Sequence, residues 1–259
     1  MWDPVQYGVF GDERSRAFFD LLARVRGHKP RYVVDLGCGD GALTATLLER
    51  WPAARVSGVD SSSAMLAEAR RRAVPGRLSF GLGDITQWRP ERPVDVLVSS
   101  AALHWVPDHP GLIGRLVEAL APAGWLAFQV PGNFDSPSHL ELAALCESPR
   151  WRARLGAVGR RDRPVLEPAG YLDLLAEAGC VADVWETTYL HVLPGADPVL
   201  DWVRGSALRP VLAALSGDSA AEADFLTEYG ERLRSVYPAG PYGTVLPFRR
   251  IFAVARRSG

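Results

Sequence analysis

The sequence predicts an α/β fold in which a mostly parallel sheet is covered by helices on both faces. Three observations carry this. Short apolar runs alternate with stretches of helical periodicity from residue 31 to residue 130. The runs are rich in valine and leucine with little polar alternation, as strands buried on both faces require. The first run leads through a glycine-rich turn straight into a helix, in "VVDLGCGDG", residues 33 to 41.

Taken in order, "GDERSRAFFDLLARVRG" suits an amphipathic helix. Phe18, Leu21, Leu22 and Val25 share one face, with Asp12 as N-cap and Gly27 as stop. "RYVVDLG" is the first strand and "GALTATLLERW" the helix after it. "ARVSGVD" is the second strand, followed by a serine-capped helix in "SSSAMLAEARRR". "RLSFGLGD" and "VDVLVSSA" supply strands three and four, "PDHPGLIGRLVEALAPAG" a capped helix, and "GWLAFQV" strand five. After Val130 the rhythm changes. Residues 132–167 hold no strand candidate and read as loop with one or two helices. "PAGYLDLLAEAGC" is a helix ending at Gly179 and "VADVWETTYLHVL" a strand. Residues 197–237 are mostly helical, and "TVLPFRRIFAVARR" is a closing strand. The expected organisation is a core of residues 1–131, 168–193 and 245–257. Two helical insertions, 132–167 and 194–244, leave the sheet after strands 5 and 6. Ligands of open α/β sheets bind beyond the carboxyl ends of the strands, so insertions there are expected to form a substrate lid.

Hydrophobic residues make up 47% of the chain and charged residues 23%, with a formal net charge of −1. Such a balance offers no bulk attraction to nucleic acid or to an anionic membrane, so neither is an expected partner. Lys29 is the only lysine among 29 basic residues, which leaves arginines to grip carboxylates bidentately. Cys38, Cys146 and Cys180 are too few and too scattered for a disulfide framework or a zinc site, so no metal is expected. The N-terminus lacks an apolar signal core and no stretch approaches a membrane span. The expectation is a cytoplasmic protein acting on a small molecule.

The glycines at 37, 39 and 41 allow a tight turn and a close approach of backbone to ligand. The helix that follows offers unpaired N–H groups to a polar or negative moiety. Gly37, Gly39 and Ala42 also satisfy the loose dinucleotide pattern, so at this point two cofactor classes remain open. Asp60 ends the second strand, where a carboxylate can accept both hydroxyls of a ribose. Asp84 ends the third strand in "GLGDI", where it can accept from the amine of an adenine. A strand-end aspartate is commonly only a helix cap, but three strand ends in register supply what one adenosine ligand needs. Asp35 tilts the choice. An acid two residues before the first glycine would repel a pyrophosphate and welcome the ammonium group of a sulfonium amino acid. The P-loop pattern is absent.

"VVDLGCGDG", "GVDSS", "GDI" and "SSAALHWVPDH", in this order and spacing, resemble the class I S-adenosylmethionine-dependent methyltransferases. The resemblance implies a Rossmann-like seven-stranded sheet and S-adenosyl-L-methionine as cofactor, with S-adenosyl-L-homocysteine as product. It implies that Gly37, Cys38 and Gly39 meet the methionine part, positioned by Asp35. Asp60, with Ser61 beside it, would hold the ribose, and Met65 would lie near the adenine. Asp84 and Ile85 would contact the adenine amine and ring, and Ser100 and Ala101 would pass beneath the sulfonium.

"WDPVQYGVF", "VPGNFDSPSH", "VWETTYLH", "DWVRGSALRP" and "FRRIFAVAR" resemble a branch of that family that methyl-esterifies a small tricarboxylate. The implied reaction is in-line methyl transfer to an ionised carboxylate, which rests on alignment and needs no general base. No residue is therefore expected to be indispensable for acid–base work. His104 is read as a positioning residue, with a base as the alternative, and Trp105 as a pocket wall. Tyr7 is read either as a cover over the methyl site or as an apolar anchor. Arg209 and Arg250 are expected to pair substrate carboxylates, and Arg14 the carboxylate of the cofactor. Asn133, His139, Tyr189 and Trp202 would add polar contacts or walls. The competing readings are a methyltransferase for another small acid or a metabolite hydroxyl, a nicotinamide-dependent oxidoreductase, and a non-catalytic cofactor-binding module.

Overall fold

The computed structural model describes residues 11–27, 29–159 and 165–259. Tyr7 and the side chain of Arg14 lie outside the described residues. The backbone divides into two compact units, Met1–Pro131 with Pro164–Thr187 and Arg250–Gly259, and Gly132–Arg163 with Thr188–Arg249. Two of the dividing points fall inside long strands, at residues 187 and 249, rather than at 193 and 244.

In the first unit, five strands run parallel: β1 (Tyr32–Leu36), β2 (Arg55–Asp60), β3 (Leu78–Leu82), β4 (Val94–Ser100) and β5 (Leu120–Pro131). β6 (Cys180–Leu193), the two-residue β7 (Ala239–Gly240) and β8 (Gly243–Arg257) follow. The sheet order is β3-β2-β1-β4-β5-β8-β6, with β8 antiparallel to β5 and β7 paired to β8. Valine and leucine fill β1 and β4 from both sides because helices cover both faces. Val33, Val34, Leu36, Val96, Leu97 and Val98 are all buried.

Four helices of this unit are α1 (Gly11–Ala23), α2 (Ala42–Arg50), α3 (Ser63–Ala69) and α4 (His109–Glu118). α3 is capped by the Ser62 hydroxyl, which accepts from Met65 N at 3.3 Å. α4 is capped by Asp108, has proline in its first turn, and buries Leu112, Ile113, Leu116 and Val117. His109 Nε2 and the Tyr171 hydroxyl, 2.6 Å apart and buried, tie α4 to the helix Pro168–Glu177.

Two helix-end expectations need correction. Asp12 lies inside α1 rather than capping it, and α1 stops at Ala23, before Gly27. The stop comes from elsewhere in the chain: Arg50 donates to Leu22 O at 2.8 Å and to Val25 O at 3.0 Å, closing carbonyls the helix leaves open. Gly27 is a packing position, where a Cβ would meet Trp125 at 3.3 Å.

The second unit contains the helices Pro137–Cys146, Arg152–Gly159, Pro198–Arg204, Arg209–Leu215 and Ser219–Val236. Its core joins Trp151 edge-on to Phe225 at 5.2 Å. Two tyrosines clamp the start of the first of these helices. The Tyr229 hydroxyl donates to Ser138 O at 2.8 Å, and the Tyr237 hydroxyl accepts from Ser138 N at 3.1 Å. Among the described residues no helix is long and apolar enough to cross a membrane.

Candidate active site

The strand order reverses between β1 and β4, and there a cavity of about 350 Å³ opens at the carboxyl ends of the first four strands. Its floor is the turn after β1. Gly37 N and Cys38 N both donate to Val59 O, at 2.8 and 3.1 Å. Gly39 N donates to Asp60 Oδ2 at 2.9 Å and Gly41 N to Cys38 O at 3.0 Å. Ala42 N donates to Asp40 Oδ1 at 3.1 Å. Five amides of the segment from Gly37 to Ala42 are thus bonded within the protein, four of them ahead of the helix.

The three glycines also separate. All have positive φ, at 82°, 57° and 75°, but their surroundings differ. A Cβ on Gly37 would fall 2.2 Å from Ala102 Cβ, and one on Gly41 would fall 2.6 Å from the Phe80 ring. Gly39 alone has open space before it. Gly39 thus leaves room in front of it, whereas Gly37 and Gly41 answer to protein packing.

The cavity wall brings together Gly37, Gly39, Asp60, Ser61 and Met65 with Asp84 and Ile85. Ser100, Ala101 and Trp105 complete its expected lining. Thr86, Ala102, Val106 and Pro107 also line it and were not anticipated. Thr86 had a signal: it stands two residues after Asp84, in the spacing of a side chain that turns back on its neighbour. Asp84 Oδ1 accepts from both the N and the hydroxyl of Thr86 at 2.8 Å, which holds its carboxyl below the usual range. Asp60 accepts Gly39 N on one oxygen and Ser62 N, at 2.8 Å, on the other. Each of its oxygens keeps a second lone pair.

Asp35 and Cys38 do not line the cavity. Asp35 lies behind the turn, 3% exposed, with Oδ2 taking the Thr44 hydroxyl at 2.6 Å. Its Oδ1 is buried without a hydrogen-bond partner among the described residues. Burial, with a smaller push from Asp60, raises this carboxyl to about 6 against the Thr44 bond. The Cys38 thiol is buried and held neutral, first by burial and then by Asp35 and Asp60. It packs rather than reacts. His104 also stays out of the lining, its ring 4.8 Å from that of Trp105.

The expected substrate residues are divided between the two units. Arg250 is buried in the first unit, where its Nη1 donates to Gln129 Oε1 at 2.8 Å. The other five belong to the second unit. Asn133 lines a cavity of about 680 Å³ there. Tyr189 and Trp202 stack on His191, at 6.0 and 4.8 Å, as parts of an aromatic core. His139 meets the Ser136 hydroxyl at 3.0 Å, and Arg209 begins its own helix. Arg249, not among the expected residues, lines the second-unit cavity beside Asn133 and Ser136, with its Nη1 donating to Gly132 O at 3.3 Å. Alternation along β8 sets it on the face opposite Arg250 but does not say which face meets the cavity.

A methyltransferase-domain family model matches residues 33–124. Beyond that segment, the chain is 53% identical over 262 residues to trans-aconitate 2-methyltransferase of Streptomyces coelicolor, covering 99% of this chain and 86% of that one. It is 48% identical over 258 residues to the Mycolicibacterium gilvum protein of the same name, covering 99% of each. The chain belongs to the trans-aconitate 2-methyltransferase family. It is thereby a class I S-adenosylmethionine-dependent methyltransferase. Among solved structures it resembles phosphoethanolamine N-methyltransferase 2 of Haemonchus contortus, in complex with S-adenosyl-L-methionine. That match has a TM-score of 0.56 at 17% identity over 94% of this chain and 53% of that one, a likeness of fold. The residues present fit the family's cofactor. The turn has spent its amides, an unpartnered carboxylate oxygen lies behind it, and two further acids stand on the wall.

Proposed function

We propose that this chain methylates a carboxylate of trans-aconitate, giving a monomethyl ester and S-adenosyl-L-homocysteine. The observation that carries the acceptor is the near-full-length identity with trans-aconitate 2-methyltransferases, which extends through the insertions as well as the cofactor-binding core. When bound, S-adenosyl-L-methionine supplies a methyl group already activated on a sulfonium. The protein's own task is to hold two charged molecules in line and exclude water. Asp60, with lone pairs left on both oxygens, would hold the ribose hydroxyls, and Asp84 the adenine amine, with Met65 and Ile85 beside the ring. Asp35 would attract the ammonium from behind the turn. An ionised carboxylate needs no base. On the acceptor side, Arg249 replaces Arg250 as the arginine for a substrate carboxylate, with Asn133 and Ser136 beside it.

Incubation with methyl-labelled cofactor and a panel of di- and tricarboxylates tests this. Labelled ester from trans-aconitate is the expected result. Turnover on another acceptor with none on trans-aconitate overturns it.

A further inference from the structure

We infer that Ser100 donates a hydrogen bond to a ligand carboxylate oxygen in the cavity, its proton aimed there by Gln129 and Arg250 acting as positioning residues. Ser100 ends β4 and lines the cavity. It is the cross-strand partner of Gln129 on β5, whose Nε2 donates to Ser100 Oγ at 2.8 Å. Gln129 is 1% exposed and accepts on Oε1 from Arg250 Nη1 at 2.8 Å.

The chain of bonds has a direction. A guanidinium has donors and no acceptor, so the amide oxygen must face Arg250 and the amide nitrogen must face Ser100. The Ser100 oxygen is then an acceptor on its protein side, and its own proton must go elsewhere. Among the described residues nothing is recorded as taking it, and the cavity lies in front of it. Neighbouring Ser99 shows the contrast. Its hydroxyl is buried and donates to Leu36 O at 2.9 Å, a sheet contact. The same glutamine also fixes the next residue, because Ala101 N donates to Gln129 O at 3.0 Å while Ala101 sits at φ 53°. Gln129 thus meets the end of β4 twice, with its backbone carbonyl at Ala101 and its side-chain amide at Ser100.

A hydroxyl proton with no protein acceptor, on a wall that also carries Asp60 and Asp84, calls for an acceptor on the ligand, and an anionic oxygen is the strongest one. Two sources carry that chemistry, the acid being methylated and the amino-acid end of the cofactor. The first source rests on the proposed function and the second does not.

The test uses Ser100→Ala, Gln129→Glu and the double variant in the full chain. KM and kcat are measured on the acid that the wild type esterifies, and S-adenosyl-L-homocysteine affinity by calorimetry. Gln129→Glu keeps an acceptor for Arg250 but replaces the donor, so the Ser100 proton turns back to the new carboxylate. Each single variant is expected to weaken one ligand roughly ten-fold, with no further loss in the double. A rise in KM identifies the substrate carboxylate, and a rise in the calorimetric Kd the cofactor's. Should Gln129→Glu fail to fold, Ser100→Thr keeps the hydroxyl and should restore what Ser100→Ala loses. Constants unchanged in Ser100→Ala, or losses that multiply in the double variant, overturn the inference. If the wild type esterifies no acid, the proposed function fails and the calorimetric comparison alone decides this inference.

Discussion

The Thr44 hydroxyl donates to Asp35 Oδ2 over 2.6 Å, the sole hydrogen bond among the described residues to a carboxyl that is 3% exposed. Burial lifts that carboxyl from 3.8 to about 6. The folded chain therefore holds this proton more tightly than the unfolded one. Its contribution to stability is complete below pH 3.8 and is lost as pH rises through 6. Asp35→Asn should raise the melting temperature of the ligand-free protein at neutral pH and weaken the cationic cofactor. In the wild type, cofactor affinity should climb as pH rises through about 6. Melting curves and cofactor titrations across that range check both signs.

Gly37 and Gly39 should fail differently. Gly37→Ala forces a Cβ to 2.2 Å from Ala102 and keeps a left-handed φ, so the folded state itself should be lost or deeply destabilised. Gly39→Ala meets no neighbour. It should cost about 1 kcal/mol of stability for its positive φ while markedly lowering cofactor affinity. Equal melting temperatures for the two variants would contradict this division.

Asp60→Ala removes acceptors for Gly39 N and Ser62 N as well as for a ribose. Cofactor affinity should fall by roughly 1–3 kcal/mol, and the ligand-free protein should melt earlier, because two backbone donors lose a charged partner. Calorimetry and ligand-free melting separate the two effects. An unchanged melting temperature would leave Asp60 with a purely ligand-facing role.

The adjacent arginines of β8 should divide kinetics from stability. Arg249→Ala is expected to raise KM for the acid roughly ten- to a hundred-fold, as loss of a charged hydrogen bond does, with cofactor affinity kept. Arg250→Ala strands the Gln129 oxygen in the interior and should cost roughly 1–3 kcal/mol of folding stability, with any loss of ligand affinity no greater than that of Ser100→Ala. If Arg250→Ala left stability intact and raised KM beyond Ser100→Ala, the assignment would reverse.

Much of the fold was legible because its signals are local. Uninterrupted valine and leucine mark strands buried on both faces, and Ser62 and Asp108 stand where helices α3 and α4 begin. The cavity-lining acids were legible for a similar reason, since Asp60 ends β2 and Asp84 follows β3 by two residues. The substrate residues were not. Arg249 and Arg250 are equivalent in composition, and only the facing of β8 separates the one on a cavity from the one held by Gln129, 121 residues away. Tyr189 and Trp202, expected as polar contacts or pocket walls, both stack on His191.

By itself the sequence determined the order of strands and helices, the turn at 37–41 and the acids at the strand ends. Periodicity and turn chemistry act between near neighbours in the chain. Only the tertiary structure decided that Gly37 answers to Ala102, that Asp35 is buried behind the turn, and that Arg250 reaches Ser100 through Gln129. Those are contacts between distant residues, and burial and register exist only once the sheet has packed.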